Sequence, residues 1–135
     1  MNITPYIKQH QEALDLVQKL QEKVQEAPPS VQEIVTILIE LSGKLNFHLS
    51  MEDKFVYPKA VNSTNPELQS TARKMQTEMM EIAGAFTKYV GDWNSNSIQN
   101  NFEKFMSETA LIATALKKRI DFEEANFYPL VRDHL

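Results

Sequence analysis

The segments HLSMEDKFVYP (residues 48–58) and RIDFEEANFYP (residues 119–129) decide how this chain folds. Counted back from each Tyr-Pro pair, Glu52 matches Glu123 and His48 matches Arg119. Each segment closes a long stretch whose apolar residues recur at spacings of three and four, the pattern of a helix that buries one stripe. The first stretch carries Ile34, Leu38, Leu41, Leu45, His48, Glu52 and Phe55. The second carries Phe102, Phe105, Thr109, Ile112, Leu116, Arg119, Glu123 and Leu130.

Two further stripes follow the same period: Tyr6, His10, Ala13, Val17, Leu20 and Val24, then Leu68, Ala72, Met75, Met79, Ile82, Phe86, Tyr89 and Trp93. Start signals precede all four. Thr4 and Asn65 each stand before a proline, which a first helical turn tolerates because its missing N–H would be unpaired there. Ser30 with Glu33 forms a capping-box pattern, and Ser97 opens the last stretch. Breaks fall at Ala27-Pro28-Pro29, at 62–65 and at 92–97. The spacing predicts helices over about 5–26, 31–59, 66–91 and 98–131, within one domain spanning 1–135. Short connections between long helices predict an all-α, antiparallel up-down-up-down four-helix bundle.

Composition narrows the function. A net charge of -4 leaves no basic face for phosphates, so neither nucleic acid nor an anionic membrane is expected as a partner. Lys117, Lys118 and Arg119 are a solvated helical cluster at most. With no cysteine, disulfides, thiolate zinc sites and iron-sulfur clusters are excluded, and a metal must be held by nitrogen and oxygen. The longest apolar run, Ile34 to Ile39, is too short to span a bilayer, and the N-terminal residues lack a signal-peptide core; a cytoplasmic protein is expected. No Gly-rich phosphate loop, H-E-x-x-H, G-x-S-x-G or Glu-x-x-His pair is present, so no enzyme is expected.

Polar side chains on buried stripes carry the information, because an unpaired buried charge costs several kcal/mol and is paired, neutralised or given a metal. His10, His48, Glu52, Arg119 and Glu123 all belong to one end of an antiparallel bundle. His48 and Glu52, four apart, share a helical face and can converge on one ion. Imidazole nitrogen with carboxylate oxygen suits iron, manganese or zinc better than calcium or magnesium. Asp53, Glu124 and His134 are expected on the surface. Met75, Met79 and Met80 are expected to fill gaps in the core. Tyr57 and Tyr128 can donate to a buried carboxylate or metal-bound oxygen, but their simpler role is to pack where their helices end.

With His10 on the first stripe and an E-x-x-x-x-Y-P tail on the second and fourth, the chain resembles the hemerythrin-like (HHE cation-binding) family over nearly its whole length. The resemblance implies two irons between four helices, with Glu52 and Glu123 as bridges and His10 with His48 serving one metal. Histidines for the other metal are missing: Met79 (with Glu78 and Met75 as neighbouring alternatives) and Arg119 stand in those places. Thioether sulfur is a soft ligand and guanidinium has no lone pair to donate, so the resemblance implies a reduced site. Two expectations follow. One is a mononuclear iron held by His10, His48, Glu52 and Glu123, for binding or sensing of iron, O2 or NO. The other is a metal-free interaction module in which Arg119 replaces the second metal and balances the two carboxylates.

Overall fold

The computed structural model describes residues 1–135, and the chain is helical almost throughout. The elements are α1 (Thr4–Val24), α2 (Val31–Phe55), α3 (Tyr57–Val61), α4 (Pro66–Asp92), α5 (Ser95–Asn100) and α6 (Phe102–Phe122). A π-helical turn (Glu123–Phe127) then leads into α7 (Tyr128–His134). Four long rods result: α1, α2, α4, and α6 continued through the π turn into α7. No helix is long and apolar enough to cross a membrane.

Caps set the helix starts. The Ser30 hydroxyl accepts from the Glu33 N–H at 3.4 Å, and the Asn65 side chain accepts from the Leu68 N–H at 2.9 Å, each supplying a partner for a free first-turn donor. Glu33 does not close the predicted capping box; its carboxylate pairs with Lys23 at 3.1 Å. Thr4 is the first helical residue and not the cap, its own N–H being taken by Asn2 at 3.0 Å. Ser97 does not open the last rod. It completes a capping box with Asn94, each side chain accepting the other's N–H, and so starts the separate short α5.

The rods run antiparallel. His10 near the start of α1 meets His48 near the end of α2, and Trp93 at the end of α4 reaches Glu108 near the start of α6. The stripes divide the interior into two apolar clusters. The larger fills the half containing Leu20, Ile34, Leu41, Tyr89, Trp93 and Phe105. The smaller joins Tyr6, Val56, Tyr57, Leu68, Met75, Phe127, Tyr128 and Val131 at the other end. Thr109, the one buried polar group of the larger cluster, is satisfied by Tyr89 at 2.6 Å.

The two Tyr-Pro tails solve the same difficulty differently. A proline inside a helix removes one hydrogen bond and drives its ring into the carbonyl four residues back. Before Pro58, α2 ends at Phe55 and the chain restarts as α3, so the predicted continuous helix over 31–59 is interrupted, and Phe55 turns outward while Val56 and Tyr57 enter the core. Before Pro129, the helix instead widens by one residue, with the Tyr128 N–H bonded to the Glu123 carbonyl.

Phe105, fully buried against Tyr89, Trp93 and Phe102, anchors the larger cluster. Phe105→Ala is expected to cost about 3–5 kcal/mol in urea unfolding. Leu111→Ala, at a side chain 70% exposed, is expected to change stability by about 0.5 kcal/mol or less in the same titration.

Candidate metal centre

Between the two apolar clusters lies a polar layer. One turn after Tyr6, α1 presents His10; one turn after Leu45, α2 presents His48, and one turn further Glu52. Glu123 enters from the junction of α6 and the π turn. All four side chains are buried, both glutamates to 0% exposure, and their donor atoms lie within 4.8 Å of one another. His10 Nε2 stands 3.0 Å from His48 Nε2 and 3.8 Å from Glu123 Oε2, and His48 Nε2 stands 2.5 Å from Glu52 Oε1. The residues named from the sequence stripes are therefore brought together.

Hydrogen bonding around the layer leaves lone pairs facing inward. His48 Nδ1–H donates to Gln9 Oε1 at 2.6 Å, which fixes the tautomer and leaves Nε2 bare toward Glu52. The carboxylate oxygens of Glu52 and Glu123 find no backbone N–H, lysine or arginine donor, although such groups when buried are nearly always satisfied; they face one another, the Tyr128 hydroxyl and, at 2.5 Å from Glu52 Oε1, His48 Nε2. Two carboxylates and two imidazole nitrogens converging in this way form a set that either a cation or protons held on the carboxylates must satisfy.

The same crowding shifts the acids and bases. Burial raises Glu52 to about 7, and burial followed by the Glu52 charge pushes Glu123 well above the ordinary carboxylate range. His10 is brought down to about 3 by burial and then by neighbouring His48, and burial lowers His48 as well. Both histidines are thus neutral, the form that ligates metal. Burial, then the Glu52 charge, raises Tyr57; burial, then the Glu123 charge, raises Tyr128.

The side of the layer toward α4 and α6 is built otherwise. A cavity of about 30 Å³ adjoins His10, His48 and Glu123, and its other walls include Met79, Ile82, Phe86, Leu116 and Arg119. Its volume is that of a site for a water-sized molecule. Arg119 does not balance the buried carboxylates as expected. Its Nη1 pairs with Glu78 Oε2 at 2.5 Å and contacts Met75 Sδ at 3.2 Å, because both partners lie on the adjacent face of α4. Met75 is fully buried and Met79 partly so, whereas Met80 is exposed and fills no core gap.

Several participants escaped the sequence stripes. Gln9 orients His48 from the position beside His10. Glu124 is half-buried rather than solvated, with Oε2 3.7 Å from His10 Nδ1. Tyr128 places its hydroxyl 3.2 Å from His10 Nε2 and 3.5 Å from His48 Nε2. Only Tyr128 had a signal, in the repeated Tyr-Pro tail. Asp53 and His134 are exposed, as expected.

No curated protein and no solved structure matches the chain. The family model described as the hemerythrin HHE cation binding domain matches residues 3–131, which takes in the first three rods, the fourth as far as Val131, and every residue of the buried layer. The chain belongs to the hemerythrin HHE cation binding domain family.

Proposed function

We propose that this protein binds a single iron-type ion through His10, His48, Glu52 and Glu123, and that it serves in binding or sensing iron, O2 or NO and not in turnover. The observation that carries this is the convergence, within 4.8 Å, of two fully buried carboxylates and two neutral imidazole nitrogens with no backbone N–H, lysine or arginine donor to the carboxylates. Mixed nitrogen and oxygen donors favour iron, manganese or zinc, and ferrous iron with open positions supplies reversible binding of a diatomic molecule. The chain's own contribution is positional. Gln9 holds the His48 lone pair inward, the two apolar clusters exclude bulk water, and the small cavity beside Met79 and Arg119 limits what can approach.

One ion, not two, suits this donor set. Beyond Glu123 toward α4 the cavity wall offers a thioether, a guanidinium and aliphatic or aromatic carbon. The metal-free alternative loses its main support with the pairing of Arg119 to Glu78.

Iron supplied during expression is expected to remain with the purified chain at a single ion per molecule and to raise its melting temperature, as a ligand of the folded state must. Glu52→Gln removes both effects. Protein that retains no iron by elemental analysis, and gains no stability from ferrous, manganous or zinc ions, would defeat the proposal.

Without metal, the pH dependence has a defined sign. Glu52 titrates near 7 in the folded chain against 4.5 ordinarily, so its contribution is complete below about 4.5 and is lost as pH rises through about 7. Glu123 acts in the same direction. His10, lowered from 6.5 to about 3, contributes fully above 6.5 and loses its contribution as pH falls through about 3. Above pH 6.5 only the carboxylates change. The melting temperature of chelator-treated protein is expected to fall as pH rises through 7, with a shallower fall in Glu52→Gln. Metal binding displaces the same protons, so affinity rises over that range and calorimetry in buffers of different ionisation enthalpy shows proton release.

Arg119→Gln in metal-free protein is expected to cost about 1 kcal/mol or less, as suits a partly exposed pair with Glu78. A loss of about 3–5 kcal/mol in urea unfolding would instead mark Arg119 as the counter-charge of the buried carboxylates.

A further inference from the structure

We propose that Tyr128 is a direct ligand, its phenolate oxygen binding the same ion as His10 Nε2 and His48 Nε2 when that ion is ferric iron. The inference rests on the metal-binding function proposed above and extends its donor set by a residue outside the histidine and glutamate pattern.

The geometry is that of a coordination shell. Two donors each about 2.1 Å from one ion stand about 3.0 Å apart at a right angle and about 3.4 Å apart at the tetrahedral angle. The three separations here are 3.0 Å for His10 Nε2 to His48 Nε2, 3.2 Å for Tyr128 Oη to His10 Nε2, and 3.5 Å for Tyr128 Oη to His48 Nε2. They form one face of such a polyhedron.

Hydrogen bonds alone account poorly for the triangle. His48 gives its only hydrogen to Gln9 from Nδ1. Three contacts then share at most two hydrogens, one from His10 Nε2 and one from the Tyr128 hydroxyl. Placing the hydrogen of His10 on Nε2 leaves its buried Nδ1, which has no hydrogen-bond partner, as a bare lone pair 3.7 Å from the Glu124 carboxylate. An ion at the triangle removes the conflict: it accepts all three lone pairs and returns the His10 hydrogen to Nδ1, facing Glu124.

The ring is held for this role. Tyr128 is 1% exposed and stacks on His10 with centroids 5.2 Å apart and planes 17° apart, while Tyr6 packs against both Tyr128 and His48. The π turn before it fixes its backbone through the Tyr128 N–H to Glu123 carbonyl bond. Tyr57, the matching tyrosine of the other tail, stacks on Phe127, and its hydroxyl contacts neither histidine. Tyrosine oxygen ligates iron in haem proteins, so the pairing is chemically ordinary. Coordination exchanges the phenol O–H bond for an oxygen–iron bond and releases one proton to solvent, with no electron transferred in that step.

The test uses the full chain loaded with ferrous iron and oxidised by hexacyanoferrate(III), a one-electron acceptor. Iron content, the visible spectrum and the resonance Raman spectrum are read on one sample. The expected result is a phenolate-to-ferric charge-transfer band with enhanced tyrosine ring vibrations, lost in Tyr128→Phe with iron retained, and kept in Tyr57→Phe. If Tyr128→Phe fails to fold, persistence of the band in both Tyr57→Phe and Tyr6→Phe assigns it by elimination, since Tyr89 lies in the other half of the bundle. Iron-loaded protein without the band, a band that survives in Tyr128→Phe, or one lost in Tyr57→Phe overturns the inference and leaves the metal-binding function standing. Failure to retain iron at all overturns both.

Discussion

Unpaired lone pairs at the centre of an apolar bundle are the constraint on which the rest of this structure depends. Two buried carboxylates placed close together in a medium of low polarity repel one another and attract protons or cations strongly. Only a cation, or protons taken up at elevated pKa, reconciles them with their surroundings. The apolar clusters on either side make the demand acute, since they keep water from relieving it. The same burial that stabilises the helices therefore generates the chemistry of the polar layer.

The layer is lopsided although the chain nearly repeats itself. Each half supplies one glutamate at the same distance from a Tyr-Pro tail, yet only the first supplies a histidine one turn earlier. In the second half Arg119 occupies that position, and its guanidinium leaves the core for Glu78 on the neighbouring helix. The tails diverge as well, one broken at Val56 and the other widened into a π turn. Small changes of backbone phase thus aim two equivalent tyrosines at different neighbours: Tyr57 at Phe127, Tyr128 at the histidines. Sequence symmetry in a bundle of this kind does not carry over into symmetry of the centre.

Much of this was legible from spacing alone. His10, His48, Glu52 and Glu123 lie on otherwise apolar stripes, and helical periodicity with antiparallel packing leaves them no choice but to meet. The caps at Ser30 and Asn65 were equally readable because they depend on the next three residues only. Arg119 misled because a stripe position specifies direction, while a long flexible side chain can bend away to an ion partner nearer the surface. Gln9, Glu78 and Glu124 sit off the stripes, beside residues on them, and their roles depend on inter-helix distances that no spacing encodes. Asn94 is a similar case: its cap competes with the one expected at Ser97, and the reciprocal bonds between the two decide the outcome. The π turn was not legible either, since the matching Tyr57-Pro58 tail is broken at Val56 while the Tyr128-Pro129 tail is widened over Glu123–Phe127.

The cavity beside Glu123 has a consequence for size. At about 30 Å³ and walled by Met79, Ile82, Phe86 and Leu116, it has room for little more than one water-sized molecule. A bulkier molecule beside Glu123 would have to displace those side chains. The carbon wall contributed by α4 and α6 thus filters by volume and polarity what can stand there, whatever the charge of the layer attracts.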